Sequence, residues 1–253
     1  METPHKDQES KNDIKLIAID MDGTLLNEKH EISDENRKAI QEAQDRGIHV
    51  VISTGRSKLT CADLVDSLSL KSYLVTVNGS EIWNESGELV ERQLLNIDHV
   101  HEMWDLKQKH KTNCWATTVD NVYRDQFPED LTEHEWMKFG FDVEDDEVRQ
   151  IIFDQLSQNE DLEITNSSLQ NLEINAAGVN KARAIEKVCD KLGITMENVL
   201  AMGDSLNDLA MIKEAGIGVA MGNAQEKVKE EADWVTASHI EHGVAKAIRH
   251  WAL

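Results

Sequence analysis

The segment Leu16–Leu26 reads LIAIDMDGTLL, and its apolar run ends abruptly at two aspartates, Asp20 and Asp22, which stand one residue apart. A short, continuous apolar run of this kind is typical of a strand that is buried on both faces of a parallel sheet. Ligands of open parallel sheets bind outside the carboxyl ends of the strands. The segment therefore predicts an α/β fold and a candidate site directly after its first strand.

The chain beyond this segment alternates between helices and strands. Ser33 is the predicted N-cap of a helix that ends near Gly47, and the strand IHVVIST, a helix over 57–68 and a strand within SYLVTVNG follow. The alternation resumes with a helix over 181–192 that ends before Gly193. Strands that alternate with helices need crossover connections, which indicate a parallel sheet.

Residues 81–177 interrupt this alternation with grouped hairpins and helices, a pattern that favours an α+β module. The chain is therefore predicted to have an α/β core, 1–80 and 178–253, in which 1–12 are a disordered tail. Within the insert the pattern predicts a hairpin turning at 84–87, a helix over 98–111, a hairpin turning at 120–121, helical segments over 131–139 and 144–158, and a closing pair of strands over 161–175.

The composition excludes several classes of function. The chain has 253 residues with 48 Asp and Glu against 26 Lys and Arg, and its net charge of −22 repels nucleic acids and anionic membranes. The same charge repels a phosphorylated substrate, so a site for one needs a local source of positive charge. No apolar stretch is long enough to span a bilayer.

The cysteines and the N-terminal residues bear on the compartment. Cys61, Cys114 and Cys189 are scattered and odd in number, which suits neither a disulfide framework nor a zinc site. A reducing cytosol is the simplest compartment for such a chain. The polar start of the sequence has no apolar segment of the kind that signal peptides contain. We therefore expect a cytoplasmic protein.

Polar side chains follow four of the predicted strands. Asp20 and Asp22 come after the first, and Asp204 arrives from a distant strand within GDSLND. Like-charged carboxylates disfavour each other's ionisation unless a cation lies between them. Carboxylate and backbone oxygens suit a hard cation, and Mg²⁺ is the commonest such ion beside phosphate. A lone pair of aspartates is a weak signal, but converging strand ends strengthen it.

Two further segments indicate an anionic ligand. Lys181 stands at the predicted start of a helix, where the positive end of the helix dipole disfavours a cation. A nearby anion would stabilise both the ammonium group and this end of the helix. A solvated surface lysine is the equal alternative from the local sequence. Thr54 and Gly55 offer a hydroxyl and an unobstructed backbone N–H where the chain passes from a strand to a helix, a place that receives phosphate oxygens well.

The motifs DMDGTLL, STGR, NG, GVNK, GDSLND and GVAMGNA occur together in the order and spacing of the haloacid dehalogenase superfamily. The chain resembles its Cof-type sugar-phosphatase branch over nearly the whole length beyond the N-terminal tail. The resemblance implies a Rossmann-like core and an α/β cap domain inserted after the third core strand, which is where 81–177 lie. Ala182 stands where the family usually has glycine, a change that touches no reacting group.

The resemblance also implies roles for individual residues. Asp20 matches the nucleophile that becomes an aspartyl phosphate, and Asp22 matches the general acid and base. Asp204, the Asp20 carboxylate and the backbone carbonyl of Asp22 match the ligands of Mg²⁺, with Asp208 as outer support. The phosphate-binding positions are Met21, Thr54, Gly55, Lys181 and Asn207.

The resemblance leaves the substrate and several alternatives open. The main hypothesis is a Mg²⁺-dependent phosphatase, monomeric or a small homo-oligomer, that acts on a small phosphorylated metabolite. Sugar phosphates and vitamin precursors such as 5-amino-6-(5-phosphoribitylamino)uracil are the expected classes. A phosphomutase of the same superfamily is the alternative, and a non-enzymatic phospho-receiver module ranks below both. Arg56 could contact substrate or the edge of the cap. The tryptophans of the insert favour packing, with lining of the substrate pocket as the alternative: Trp83, Trp104, Trp115 and Trp136.

Overall fold

The protein, described by a computed structural model over residues 13–124 and 126–253, contains two β-sheets with helices packed on them. The predicted tail 1–12 lies outside the described residues. In chain order the strands are β1 Leu16–Ile19, β2 His49–Ser53, β3 Leu74–Thr76, β4 Glu81–Trp83, β5 Leu89–Arg92, β6 Asn113–Thr118, β7 Val122–Tyr123, β8 Trp136–Asp142, β9 Leu162–Thr165, β10 Asn171–Ala176, β11 Val199–Gly203, β12 Ile217–Ala220 and β13 Trp234–Val235.

Helices connect most of these strands. None of the helices in the described ranges has the length and hydrophobicity that a bilayer crossing requires. The α-helices are α1 Asp34–Asp45, α2 Lys58–Asp66, α3 Ile97–His110, α4 Asp146–Leu156, α5 Lys181–Leu192, α6 Leu206–Glu214, α7 Glu226–Glu231 and α8 Gly243–Trp251.

The larger sheet has eight strands in the order β13-β12-β11-β1-β2-β3-β4-β5, and the strands from β13 to β3 are parallel. Strand β1 lies near the centre. Its alternate residues face opposite sides: Ile17 and Ile19 join one buried apolar cluster, and Leu16 and Ala18 join another. A strand covered on both faces needs apolar residues at every position, which confirms the α/β fold that the opening segment predicts.

The smaller sheet has five antiparallel strands in the order β7-β6-β8-β10-β9. Its apolar core includes residues of α3 and α4 together with Phe139 and Phe141 of β8. The helical segment predicted over 131–139 is wrong. Leu131–Glu133 form one short 3-10 turn, and the chain then enters β8. Phe139 and Phe141 alternate with Lys138 and Gly140, and that period of two is the pattern of a strand.

The hairpin predicted at the start of the insert forms, but it extends the larger sheet. Strand β4 pairs antiparallel with β3, and β5 pairs with β4. The smaller sheet begins only at Asn113, after α3. The boundaries of core and cap at residues 81 and 177 stay a prediction, and this hairpin is the part of the predicted insert that belongs to the larger sheet.

Candidate active site

The loops after β1, β2, β3 and β11 meet at the carboxyl edge of the larger sheet. After β1 the chain makes a tight turn over Met21–Leu25, in which Gly23 has a φ of +78°. A Cβ on Gly23 would lie 2.5 Å from an Asp204 carboxylate oxygen. Glycine is therefore needed here both for its positive φ and because the turn passes directly against Asp204. Thr24 donates to the same carboxylate at 3.3 Å.

Three carboxylates converge at this turn. Asp20, Asp204 and Asp208 each offer an oxygen, and these oxygens all lie within 4.8 Å of one another. Asp20 and Asp208 are buried, and Asp204 is half-buried. The third acid is thus Asp208, which the family resemblance implies only as outer support. Its Oδ2 also accepts the backbone N–H groups of Asp204 and Ser205 at 3.0 and 3.1 Å, which fixes the loop after β11.

Lys181 is the cation that faces this cluster. Its Nζ donates to Oδ1 of Asp20 and to Oδ1 of Asp208, both at 2.6 Å, and its side chain is fully buried. The surface-lysine alternative is therefore wrong, and the anions expected at the start of α5 are these two carboxylates. Asn180 caps the helix by accepting the backbone N–H of Arg183. Gly193 ends the helix with a φ of +70°, as the sequence predicts.

The cluster carries more negative than positive groups. Burial, then the charge of Asp208, raises the pKa of Asp20 well above its ordinary value, although Lys181 opposes the shift. Burial and Asp208 raise the pKa of Asp204 to about 7. Burial acts to lower the pKa of Lys181, but the charges of Asp20 and Asp208 raise it above its ordinary value. Three acids share one ammonium group, so the cluster favours uptake of protons or of a second cation.

The donor set fits a divalent metal. All of its donors are carboxylate oxygens, which suit a hard cation, and their mutual distances allow one ion to contact all three. The raised pKa values of Asp20 and Asp204 indicate charge that such an ion would neutralise.

Asp22 lies apart from this cluster at the cavity surface. Its carboxylate receives two hydrogen bonds from the Arg56 guanidinium, from Nε at 2.8 Å and from Nη2 at 2.6 Å. Half of the Asp22 side chain is exposed. The sequence left the role of Arg56 open. In the structure its guanidinium pairs with both carboxylate oxygens of Asp22 and fixes the orientation of that side chain.

The predicted phosphate-binding residues differ in their exposure to the cavity. Met21, Thr54 and Lys181 are fully buried, whereas Gly55 and Asn207 line the cavity. Thr54 Oγ1 accepts the backbone N–H of Arg56 at 3.1 Å. The side-chain oxygen of Asn207 is buried and has no hydrogen-bond partner among the described residues. The segments after β1, β2 and β11 and the start of α5 thus bring all five predicted positions to the same edge of the sheet as Asp20.

A buried ion pair joins the smaller sheet to these loops. Lys138 of β8 donates to the backbone carbonyl of Gly55 at 2.7 Å and to Glu173 of β10 at 3.1 Å. Glu173 also accepts from Asn78 of the loop after β3 at 2.6 Å and from Ser167 at 2.7 Å. Burial acts to raise the pKa of Glu173, but Lys138 and these hydrogen bonds lower it below its ordinary value.

Sequence reasoning missed Lys138 and Glu173. The signal was a lone charged residue inside each of the apolar strand patterns WMKFGF and NLEIN. A charge at such a position is rarely buried without a partner, so each residue predicts the presence of the other. The helical interpretation of 131–139 concealed the first of the two.

A cavity of about 640 Å³ lies between the two sheets above Asp20. Core residues form its floor, and one face of the smaller sheet forms its roof. Arg56, Arg124 and Lys138 line it, but acidic side chains outnumber them, so the local positive charge that a phosphate requires is incomplete without a further cation. The residues that line it include Asp20, Asp22, Gly55, Arg56, Asp204 and Asn207 on the floor, and Trp115, Thr117, Arg124, Lys138, Asp142, Asn171 and Glu173 on the roof.

Comparison with known proteins agrees with this geometry. The family model of the haloacid dehalogenase-like hydrolases matches residues 17–136 and 124–248. The chain belongs to this family. This hydrolase is 65% identical, over 95% of its chain and 97% of the relative, to a 5-amino-6-(5-phospho-D-ribitylamino)uracil phosphatase of Bacillus subtilis. It is therefore a phosphatase, and the metal dependence of its superfamily agrees with its acidic cluster.

Solved structures of the family share the fold of this hydrolase. A haloacid dehalogenase-like hydrolase from Bacillus subtilis superposes with a TM-score of 0.87 at 29% identity, over 94% of this chain and 99% of that one. A second such hydrolase, from Bacteroides thetaiotaomicron, superposes with a TM-score of 0.79 at 30% identity, again over 94% and 99%. The Rossmann-like core with an inserted α/β module is thereby confirmed.

Proposed function

We propose that this hydrolase is a cytoplasmic, Mg²⁺-dependent phosphatase that releases phosphate from 5-amino-6-(5-phospho-D-ribitylamino)uracil by way of an aspartyl phosphate on Asp20. One observation carries the chemistry: Asp20 lines the cavity while Lys181 holds its carboxylate beside Asp204 and Asp208. The choice of substrate rests on the Bacillus subtilis relative at 65% identity.

Asp20 is the proposed nucleophile. One carboxylate oxygen of Asp20 attacks phosphorus, and the bond from phosphorus to the ribityl oxygen breaks with its electron pair on that oxygen. Lys181 fixes the orientation of the attacking carboxylate through its 2.6 Å hydrogen bond. Asp20, Asp204 and Asp208 would hold the Mg²⁺ ion, together with the backbone carbonyl of Asp22. When bound, this ion supplies positive charge that reduces repulsion between the carboxylate and the phosphoryl group.

Asp22 is the proposed acid and base. In the first step its carboxyl gives a proton to the leaving ribityl oxygen, and in the second its carboxylate takes a proton from water. That water attacks the aspartyl phosphate, and the bond from phosphorus to Asp20 breaks with its electron pair on the carboxylate. The Asp22 side chain is half exposed at the cavity, where it can reach the leaving oxygen and water. Both of its oxygens accept from Arg56, so each proton transfer requires one of these hydrogen bonds to open.

The remaining predicted residues would hold the phosphoryl oxygens. Thr54 keeps its hydroxyl hydrogen for donation, since its oxygen accepts from Arg56. A Cβ on Gly55 would lie 2.9 Å from Asn78 Oδ1, so only glycine leaves this loop unobstructed. The Asn207 amide and the backbone of Met21 and Gly55 complete the proposed set.

Phosphate release from the purified protein tests this proposal. We expect release from 5-amino-6-(5-phospho-D-ribitylamino)uracil with Mg²⁺ and its loss on chelation. Asp20→Asn should lower kcat by roughly 10³-fold or more, because the substitution removes the nucleophile. The exposed Asp105→Asn is the matched control and should retain activity. Release that is indifferent to Asp20→Asn would contradict the mechanism, and an isomerised phosphoester in place of free phosphate would indicate a phosphomutase.

A further inference from the structure

One face of the smaller sheet forms the roof of the cavity above Asp20. In β6 the residues Cys114 and Ala116 enter the apolar core of this sheet, while Trp115 and Thr117 between them line the cavity. In β8 and β10 the side chains on the cavity side are polar or charged: Lys138, Asp142, Asn171 and Glu173. Trp115 is therefore a large aromatic side chain in an otherwise mostly polar roof.

The position of the Trp115 ring is determined by Gly140, its direct partner in the pairing of β6 with β8. A Cβ on Gly140 would lie 2.2, 2.3 and 2.6 Å from Cε2, Cζ2 and Cδ2 of the indole. No position within the plane of the ring lies at these three distances from three consecutive ring atoms. The added Cβ would therefore lie above the face of the indole. One face of the indole therefore covers Gly140, and any larger residue at 140 would displace it.

The opposite face of the indole is directed away from the sheet. Trp115 is only partly buried, and it lines the cavity together with Thr117 and Arg124. A flat apolar surface set among polar groups in a ligand cavity suits a planar ring, since stacking needs an open face and the polar neighbours can hydrogen-bond to the ring's edge. An alkyl phosphate or an open-chain sugar phosphate has no planar ring to stack on such a surface.

We propose that Trp115, lying on Gly140, is a specificity-determining platform that stacks on the planar heterocycle of the substrate's leaving group. This inference rests on the proposed function, in which the leaving group ends in a uracil ring. It assigns selection of the ring to the roof of the cavity and reaction at the phosphoryl group to Asp20 and its neighbours. The enzyme would accordingly distinguish ring-bearing from ring-less phosphoesters through one side chain of β6.

Paired kinetics on two phosphoesters test this proposal. 5-Amino-6-(5-phospho-D-ribitylamino)uracil carries the ring, and D-ribitol 5-phosphate has the same chain without it. Stacking on an aromatic side chain contributes about 5- to 150-fold to binding per ring. We expect Trp115→Ala to lower kcat/KM for the ring-bearing ester by a factor in that range and to leave ribitol 5-phosphate nearly unchanged. Trp115→Phe should restore most of the loss, and Gly140→Ala should mimic Trp115→Ala because it displaces the indole.

Trp104→Ala is the matched control. Trp104 packs against the apolar core on the other side of the same sheet, so its removal should leave the ratio of the two kcat/KM values unchanged. A Trp115→Ala variant that loses equal activity on both esters, or on neither, would overturn the platform while the proposed function stands. Wild-type protein that hydrolyses ribitol 5-phosphate but not the ring-bearing ester would instead contradict the proposed substrate.

Discussion

Lys181 shows how one residue holds a cluster of acidic side chains together. Its ammonium group lies between Asp20 and Asp208, at 2.6 Å from each, with no exposed surface. Burial of an unpaired ammonium is costly, and so is burial of the unpaired carboxylates of Asp20 and Asp208. Lys181 and its two carboxylate partners therefore stabilise one another in the interior. The three residues come from the loop after β1, the start of α5 and the start of α6.

The pKa of Asp204 predicts how metal binding depends on pH. Its value of about 7 in the folded protein lies above the ordinary value of 3.8. The folded state therefore binds more protons than the unfolded state between these values. The contribution of Asp204 to stability is present at low pH and is lost as the pH rises through about 7.

A divalent cation requires the ionised carboxylate, so it competes with this proton. We expect the rise in Tm on addition of Mg²⁺ to be small at pH 5.5 and to grow through about pH 7 to pH 8. Differential scanning fluorimetry across this range measures it. Asp204→Asn should reduce the rise and weaken its pH dependence, leaving the part that the raised pKa of Asp20 contributes. A Tm shift of equal size at both ends of the range would contradict the coupling.

At the scale of elements, the parallel core could be predicted almost completely from sequence. Strand β1 and helix α5 are recognisable because each carries its own periodicity and end signals, such as Asn180 and Gly193. Strand β8 also carries a period of two in WMKFGF, but the acidic residues before it favour helix and concealed that pattern. The contact of Lys138 with Gly55 follows from tertiary packing, which no local pattern encodes.

Substitutions in the Lys138–Glu173 pair should affect stability and activity differently. Lys138→Met leaves Glu173 buried without its cation and should lower the free energy of unfolding by about 3–5 kcal/mol. Adding Glu173→Leu removes the stranded charge, so the double variant should regain much of the stability. It should not regain activity, because the contact that holds the Gly55 loop is lost.

Chemical denaturation and kcat/KM of the wild type, both single variants and the double variant measure this coupling. The exposed pair Lys38–Glu35 of α1 is the control, and its removal should cost no more than about 1 kcal/mol. Additive losses in stability for Lys138 and Glu173 would show that the two residues act independently.

At the scale of the whole molecule, two sheets enclose one cavity and contribute different residues to its lining. The carboxyl edge of the larger sheet supplies Asp20, Asp22 and Asp204, and the smaller sheet supplies the roof. The sequence could predict the floor because its motifs stand at strand ends. For the roof it offered pocket lining by a tryptophan of the insert only as an alternative and could not single out Trp115, since the pairing of strands and not a motif places that residue. Arg56 and Lys138 each pair with an acid of the cavity lining, so a divalent cation at the Asp20 cluster would supply the positive charge that a phosphate needs in a chain of net charge −22.

A crystal structure of the protein with Mg²⁺ and beryllium fluoride, a mimic of a carboxyl-bound phosphoryl group, tests the central claim most directly. The account predicts beryllium bound to the Asp20 carboxylate, with the metal ion held by Asp20 and Asp204 and Lys181 beside them. Beryllium bound to Asp22, or a metal ion held away from Asp204, would contradict it.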